Sequence, residues 1–162
     1  GDLKIAYVNT DTIFEKNDML KDLEEDFIQE KLTMENQFRS QYEKLEKDYK
    51  DAEAGAAQLS QEALQILGMK LQQREQDLMA QKQEMEQILL KSEQEKNELF
   101  YDQIRSFLDD YAKRQGYHMI YGYNGFGNVL YMDEQFDITQ LVVDSLNTTY
   151  SKNKMLEQTA QK

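Results

Sequence analysis

The chain's one histidine, His118, stands in a strand-like run, Tyr117-His118-Met119-Ile120-Tyr121, and there is no cysteine anywhere. A histidine-based metal site or a cysteine–histidine pair needs several such side chains converging on one point. Neither can be assembled within one chain. Glu and Asp are abundant, but on helices this acidic, carboxylate pairs arise by chance and need no catalytic reading. Gly122, Gly125 and Gly127 do not form a phosphate loop, because no helix starts directly after them and no Lys-Ser/Thr follows. The sequence therefore offers no catalytic residues, no cofactor-binding residues and no metal ligands, and an enzyme is the least expected class.

The net charge of −12 makes free nucleic acid and anionic membrane surfaces poor partners for the whole molecule. Residues 18–95 hold most of that charge, with 19 acidic against 10 basic side chains. No apolar run approaches the ~18 residues of a membrane span, so no stable membrane insertion is expected. The sequence shows no signal peptide, and the lack of cysteine excludes disulfides without fixing a compartment.

The elements that would carry any function are unequal in size. From Asp18 to Arg114 there is no proline, and only Gly55 and Gly68 interrupt a pattern of single apolar residues spaced by threes and fours. The outgoing series is Leu20, Leu23, Phe27, Met34, Phe38, Tyr42, Leu45, Tyr49 and Ala52, with Lys31 filling one apolar place. That is a coiled-coil seam rather than a broad globular face. Gly55 suits a helix C-terminus and Ser60 an N-cap, so the tip of a helical hairpin lies near 53–60. The return helix repeats at seven through Leu64, Leu71, Leu78, Met85, Ser92 and Leu99. Its companion positions are Leu67, Arg74, Gln81, Ile88 and Glu95. So polar a seam holds two helices together without making a rigid rod. At 1.5 Å per residue the outgoing helix spans ~55 Å and the return helix ~80 Å. The surplus, Leu99, Phe100, Ile104, Phe107, Leu108 and Tyr111, is a dense apolar stripe that should pack in a body.

That body is small. Strand one, Leu3 to Val8, alternates, with Leu3, Ile5 and Tyr7 on one face and Lys4, Ala6 and Val8 on the other. A short helix follows, capped by Asn9, Thr10 or Asp11 and anchored by Ile13 and Phe14. Gly116 ends the return helix. Strand two is Tyr117 to Tyr121, Asn124-Gly125 signals a tight turn, and strand three is Val129 to Met132. Asp137-Ile138-Thr139-Gln140 reads as a capping box for a last helix with Ile138, Leu141, Val142 and Leu146 on its apolar face. The expected class is α+β. Residues 1–17 and 96–150 form a small β body for oligomerisation, 18–95 a long antiparallel helical hairpin as a coiled-coil arm, and 151–162 a polar, frayed tail. About 65 residues outside the hairpin lie near the lower limit for an independent core. Body strands from several copies should therefore share one, through Ile5, Tyr7, Ile120, Val129 and Tyr131.

Two softer signals mark a contact surface. The tip, Ala52 to Leu71, has three charges only, Glu53, Glu62 and Lys70. It offers Leu59, Leu64, Ile66, Leu67, Met69 and Leu71. Methionine packs adaptably and suits surfaces with many partners; Met79 and Met85 on the return helix extend the candidate set. Ordinary hairpin packing is the plainer use of each.

The ends of the chain carry a family resemblance. Lys4-Ile5-Ala6-Tyr7-Val8-Asn9 followed by Ile13-Phe14 resembles the opening of the Skp/OmpH family of periplasmic chaperones. Val129-Leu130-Tyr131, Asp137-Ile138-Thr139 and the helix ending Leu146-Asn147 resemble its close. Each motif is weak alone; their order around a proline-free hairpin is specific and covers about residues 3–150. The resemblance implies a homotrimer whose strands form a shared β-barrel, with helical arms around a cavity. It implies an ATP-independent holdase in the periplasm that keeps unfolded outer-membrane proteins from aggregating, and no cofactor. One departure stands out. The best-known members are strongly basic, whereas this arm is acidic, so no lipopolysaccharide site is carried over. The alternative reading is a trimeric coiled-coil adaptor that binds one specific folded partner. A prefoldin-like chaperone fits less well, because there the strands lie between the long helices.

Overall fold

The computed structural model describes residues 1–162. The element order is β1 (Ile5–Asn9), α1 (Thr10–Lys16), α2 (Asp18–Gly55), a 3-10 turn (Ala56–Gln58), α3 (Gln61–Gln115), β2 (Met119–Tyr123), a second 3-10 turn (Glu134–Phe136) and α4 (Thr139–Ala160). The chain divides into two compact units, Gly1–Glu25 with Glu95–Lys162, and Asp26–Gln94.

In the first unit β1 and β2 pair in parallel, from Ile5 opposite Met119 to Asn9 opposite Tyr123. Parallel neighbours need a crossover connection, and here α1, α2 and α3 supply it. The alternation expected for β1 is present. Ala6 and Val8 are buried, while Ile5 and Tyr7 are half-buried on the opposite face. There the Tyr7 ring stacks on Tyr121, centroids 5.7 Å apart.

The core beneath the sheet is Val8, Ile13, Leu20, Phe100, Val142, Val143 and Leu146. Of the two residues expected to anchor α1, Ile13 is fully buried, whereas Phe14 is half-exposed and sets its ring edge-on against Phe100 at 5.5 Å. Ile104, Phe107 and Leu108 of the apolar stripe pack on this core, but Leu99 faces solvent. Ile120, expected between copies, packs against the core of its own chain.

The helix ends follow local chemistry. Asn9 caps α1 by accepting from the Thr12 N–H at 3.1 Å. Gly116 adopts φ 71°, a left-handed conformation open to glycine, and the Tyr117 N–H then closes on the Ala112 carbonyl at 2.9 Å. Asp137 accepts from the Thr139 N–H at 2.8 Å and from its hydroxyl. The reciprocal half of the expected capping box does not form, because Gln140 bonds forward to Asp144.

Two expectations are corrected. Val129–Met132 is not a strand; the sheet has two strands only. Asn124-Gly125 does not turn the chain back along β2. Instead the Asn128 side chain closes a loop, accepting from the Asn124 N–H and donating to the Gly122 carbonyl, each at 3.0 Å, and Gly127 takes φ 84°. Without a backbone partner the segment stays irregular, with Leu130 95% and Tyr131 82% exposed. The second correction concerns the tail, which is helical through Ala160. Tyr150 and Lys154 both bond the Asp22 carboxylate, at 2.8 and 2.7 Å, and so tie α4 to α2 beyond its apolar face.

That tie carries a pH dependence. The Lys154 and Tyr150 hydrogen bonds hold the Asp22 carboxyl below the usual carboxylate range. A depressed folded-state pKa contributes stability that is present above the unfolded value of ~3.9 and is lost as pH falls through the folded value. Amide exchange in the α4 turns around Tyr150–Lys154 should therefore quicken, relative to the α4 start, once pH drops below about 4. Asp22→Asn should already show the faster exchange at neutral pH and lose most of that acid sensitivity. Identical profiles for parent and variant would contradict the tie.

Candidate binding surface

The second unit, Asp26–Gln94, is the hairpin portion of α2 and α3. Gly55 ends α2 and Ser60 caps α3, accepting from the Ala63 N–H at 3.1 Å, as the tip residues imply. Its apolar centre is Leu45, Leu71 and Leu78, with Phe38, Ala52 and Leu67 packed around them. Polar pairs cross the seam on either side. Arg74 bonds Asp48, Tyr49 bonds Glu75 at 3.1 Å, and Ser92 bonds Glu30 at 2.7 Å. The Arg74 hydrogen bond holds the Asp48 carboxyl below its ordinary range. The Asp48–Arg74 and Tyr49–Glu75 pairs lie together near the tip and the Glu30–Ser92 pair encloses both farther from it, as one antiparallel register requires.

The inward face of α3 departs from the strict seven-residue reading. Leu71 and Leu78 are buried on that repeat, but further along Lys96 and Phe100 are buried, while Glu95 and Leu99 are exposed. A straight helix lags a seven-residue repeat by ~20° per heptad. Over four heptads the lag is ~80°, nearly one residue's 100° step, so the inward position slips to the next residue. Lys96 reaches the Glu24 carboxylate at 2.6 Å.

A shallow groove of about 140 Å3 lies across the hairpin unit. Met34 and Phe38 from α2 and Met85 and Ile88 from α3 supply its apolar part. Gln37, Gln41, Gln81 and Glu84 line the rest. None of the three glutamine amides has a hydrogen-bond partner within the chain, so each presents a donor and an acceptor to solvent. An apolar floor with free amides beside it can hold an extended peptide, taking a side chain below and backbone N–H and C=O groups at the edge.

The sequence-derived contact residues divide. Leu59, Ile66, Met69 and Met79 are exposed, from 41% for Leu59 to 65% for Met69. Leu64 is half-buried, and Met85 is half-buried within the groove. Leu71 is 4% exposed and Leu67 packs beside it, so both serve the seam and not an outer surface. Their spacing of four along α3, facing Leu45 and Ala52, puts them inside. The groove's Met34, Phe38 and Ile88 were legible only as seam positions; the signal for them is Met34–Phe38 at i,i+4 opposite Met85–Ile88 at i,i+3. The sheet-side candidates Ile5 and Tyr7 are half-buried on the outer sheet face, Val129 is half-buried, and Tyr131 is exposed.

No group of three or more His, Asp or Glu side chains is placed to hold a metal ion, and no helix is long and apolar enough to cross a membrane.

This arrangement, a long helical hairpin with a small strand pair, has relatives. The model of the OmpH-like outer membrane protein family matches residues 4–146, and the chain belongs to that family. Among solved structures it is similar to that of a proposed OmpH-like outer membrane chaperone from Caulobacter crescentus CB15. That similarity has a TM-score of 0.78 over 92% of this chain and 86% of the other, at 14% sequence identity. At that identity the likeness shows a shared fold. No curated protein matches the chain.

Proposed function

We propose that the protein is an ATP-independent holdase chaperone of the periplasm. It binds unfolded outer-membrane proteins in a cavity between helical arms and keeps them from aggregating. The observation that carries this reading is the hairpin unit itself. It combines a shallow, side-chain-sized groove of Met34, Phe38, Met85 and Ile88, flanked by free glutamine amides, with exposed Leu59, Ile66, Met69 and Met79. Flexible thioethers and amides accept many sequences, as a holdase must and a dedicated adaptor need not. Membership of the OmpH-like family supports it.

The working form in this reading is a homotrimer whose copies share their strands in a β-barrel. Its support is the apolar surface left uncovered around the sheet, where Leu3, Met119, Tyr121, Leu130 and Tyr131 are each more than 40% exposed. A two-stranded sheet also leaves β2 an edge without a strand neighbour.

Client contact is apolar and amide-based, not attraction to positive charge, because the chain is net −12. Coulomb attraction between exposed charges is screened over ~10 Å at 0.1 M salt and ~3 Å at 1 M. Apolar burial, at ~25 cal/mol per Å2, is not screened. Binding of an unfolded acidic client, followed by fluorescence anisotropy, should persist or tighten from low salt to about 0.5 M sodium chloride. Changing Leu59, Ile66 and Met69 together to Ser should weaken it several-fold while trimer mass and helicity stay constant. Loss of binding in salt, with no effect of the triple change, would make charge the driver instead.

A further inference from the structure

A cleft of about 320 Å3 opens in the unit that holds the sheet, beside the paired residues Val8 and Gly122. Phe14, Phe100, Tyr101 and Ile104 are among its walls, and Asp11 and Gly122 stand at its rim. The Thr10, Asp11 and Asn124 side chains that line the cleft already have partners. The Asp11 carboxylate accepts from the Gly125 N–H at 3.1 Å, and the Thr10 hydroxyl donates to the Tyr123 carbonyl at 3.1 Å. The cleft therefore suits an apolar plug rather than a polar ligand. A cavity of ~150 Å3 is enough to take benzene, so a phenyl ring fits here with room to spare.

The same chain carries such a plug and leaves it bare. Phe126 is 95% exposed, and Leu130 and Tyr131 follow it with 95% and 82% exposure. Phe126 does not enter its own cleft, because the preceding Gly125 N–H is fastened to Asp11 and the side chain points to solvent. We propose that the cleft receives Phe126 from a neighbouring copy. The inference rests on the strand-sharing trimer described above. A neighbour's 126–131 segment laid along the strandless edge of β2 runs beside Gly122 and Asn124, which themselves line the cleft. Large aromatic side chains bury ~150–250 Å2 each, so Phe126 and Tyr131 alone supply ~300–500 Å2 per copy. That is a large part of the ~800 Å2 each partner gives to a stable interface. A foreign partner would need to bring what this chain already exposes.

The absence of native cysteine makes the test clean. Two single-cysteine proteins, Gly125→Cys, which keeps the Phe126 ring and whose Cβ would meet only Asp11 at 3.8 Å, and Tyr101→Cys, are refolded together and treated with a short bismaleimide, and masses are measured by sedimentation equilibrium. The expected result is a trimer that yields a joined pair of unlike chains, whereas Tyr101→Cys with Leu156→Cys on α4 yields none. A trimer with no product joining positions 125 and 101 overturns the docking and leaves the trimer standing. A monomer mass for the parent protein removes both. Phe126→Ala provides a second reading, since a side chain this exposed in the single chain is not needed for its folding. It should raise the half-assembly concentration at least ten-fold, and an unchanged value would also overturn the proposal.

Discussion

Replacing Leu130 with Asp is expected to leave each chain folded and to break the assembly into single copies. In the isolated chain Leu130 is 95% exposed, so the carboxylate there stays in water and costs the fold almost nothing. In a strand-sharing trimer the same position meets a neighbour's apolar surface. Moving an unpaired carboxylate into such a contact costs several kcal/mol, repeated at each interface. Sedimentation equilibrium at micromolar concentration should give about one-third of the parent mass, with far-UV circular dichroism unchanged. Parent and variant of equal mass would mean that the 128–132 segment is not part of the interface. Val129→Asp should also dissociate the assembly but with some loss of fold, because Val129 is half-buried within its own chain.

Asn17→Ala is expected to be among the most destabilising single changes outside the apolar core. Asn17 is 1% exposed between α1 and α2. Its carbonyl accepts from the Leu20 N–H at 2.8 Å, capping α2, and its amide donates to Gln103 of α3 at 2.8 Å. Loss of an N-cap costs ~1 kcal/mol, up to ~2 in proteins. The orphaned Gln103 oxygen and Leu20 N–H add roughly 1–3 kcal/mol where water cannot replace the partner. A total of about 2–3 kcal/mol should appear in urea unfolding at fixed protein concentration, since an oligomer's apparent stability depends on it. Asn17→Ser should recover roughly half, because its hydroxyl can cap but cannot reach Gln103. An Ala variant with the parent midpoint would show that the two bonds do not hold the α1–α2 junction.

Asn17 also shows where the sequence stops being legible. The hairpin, its tip at Gly55 and Ser60, the alternation of β1 and the stop at Gly116 rest on local chemistry, and local chemistry is written in sequence order. By type and local position Asn17 is one more polar residue beside a polar helix; its importance comes from Gln103, which lies far away along the chain. The slip of the α3 face from Leu99 to Phe100 was hidden because a rigid seven-residue template ignores the drift of a real helix over several turns. The third strand failed for a different reason. Val129 to Met132 has the composition of a strand, but a strand needs a backbone partner, and none exists within one chain. Candidate contact residues were legible by type and not by exposure. Leu67 and Leu71 differ from Ile66 and Met69 only in the side of the helix they occupy.

Whether the hairpin's apolar and amide surface holds unfolded outer-membrane proteins can be read from light scattering when a urea-unfolded outer-membrane β-barrel protein is diluted into buffer with and without this protein. An unfolded water-soluble protein of similar length serves as control, and no nucleotide is added. An equimolar amount of the protein, counted as trimer, should suppress scattering of the β-barrel protein almost completely. The Leu59, Ile66 and Met69 to Ser variant should protect much less. Full scattering in the presence of excess trimer, or equal protection by parent and variant, would contradict the proposed function.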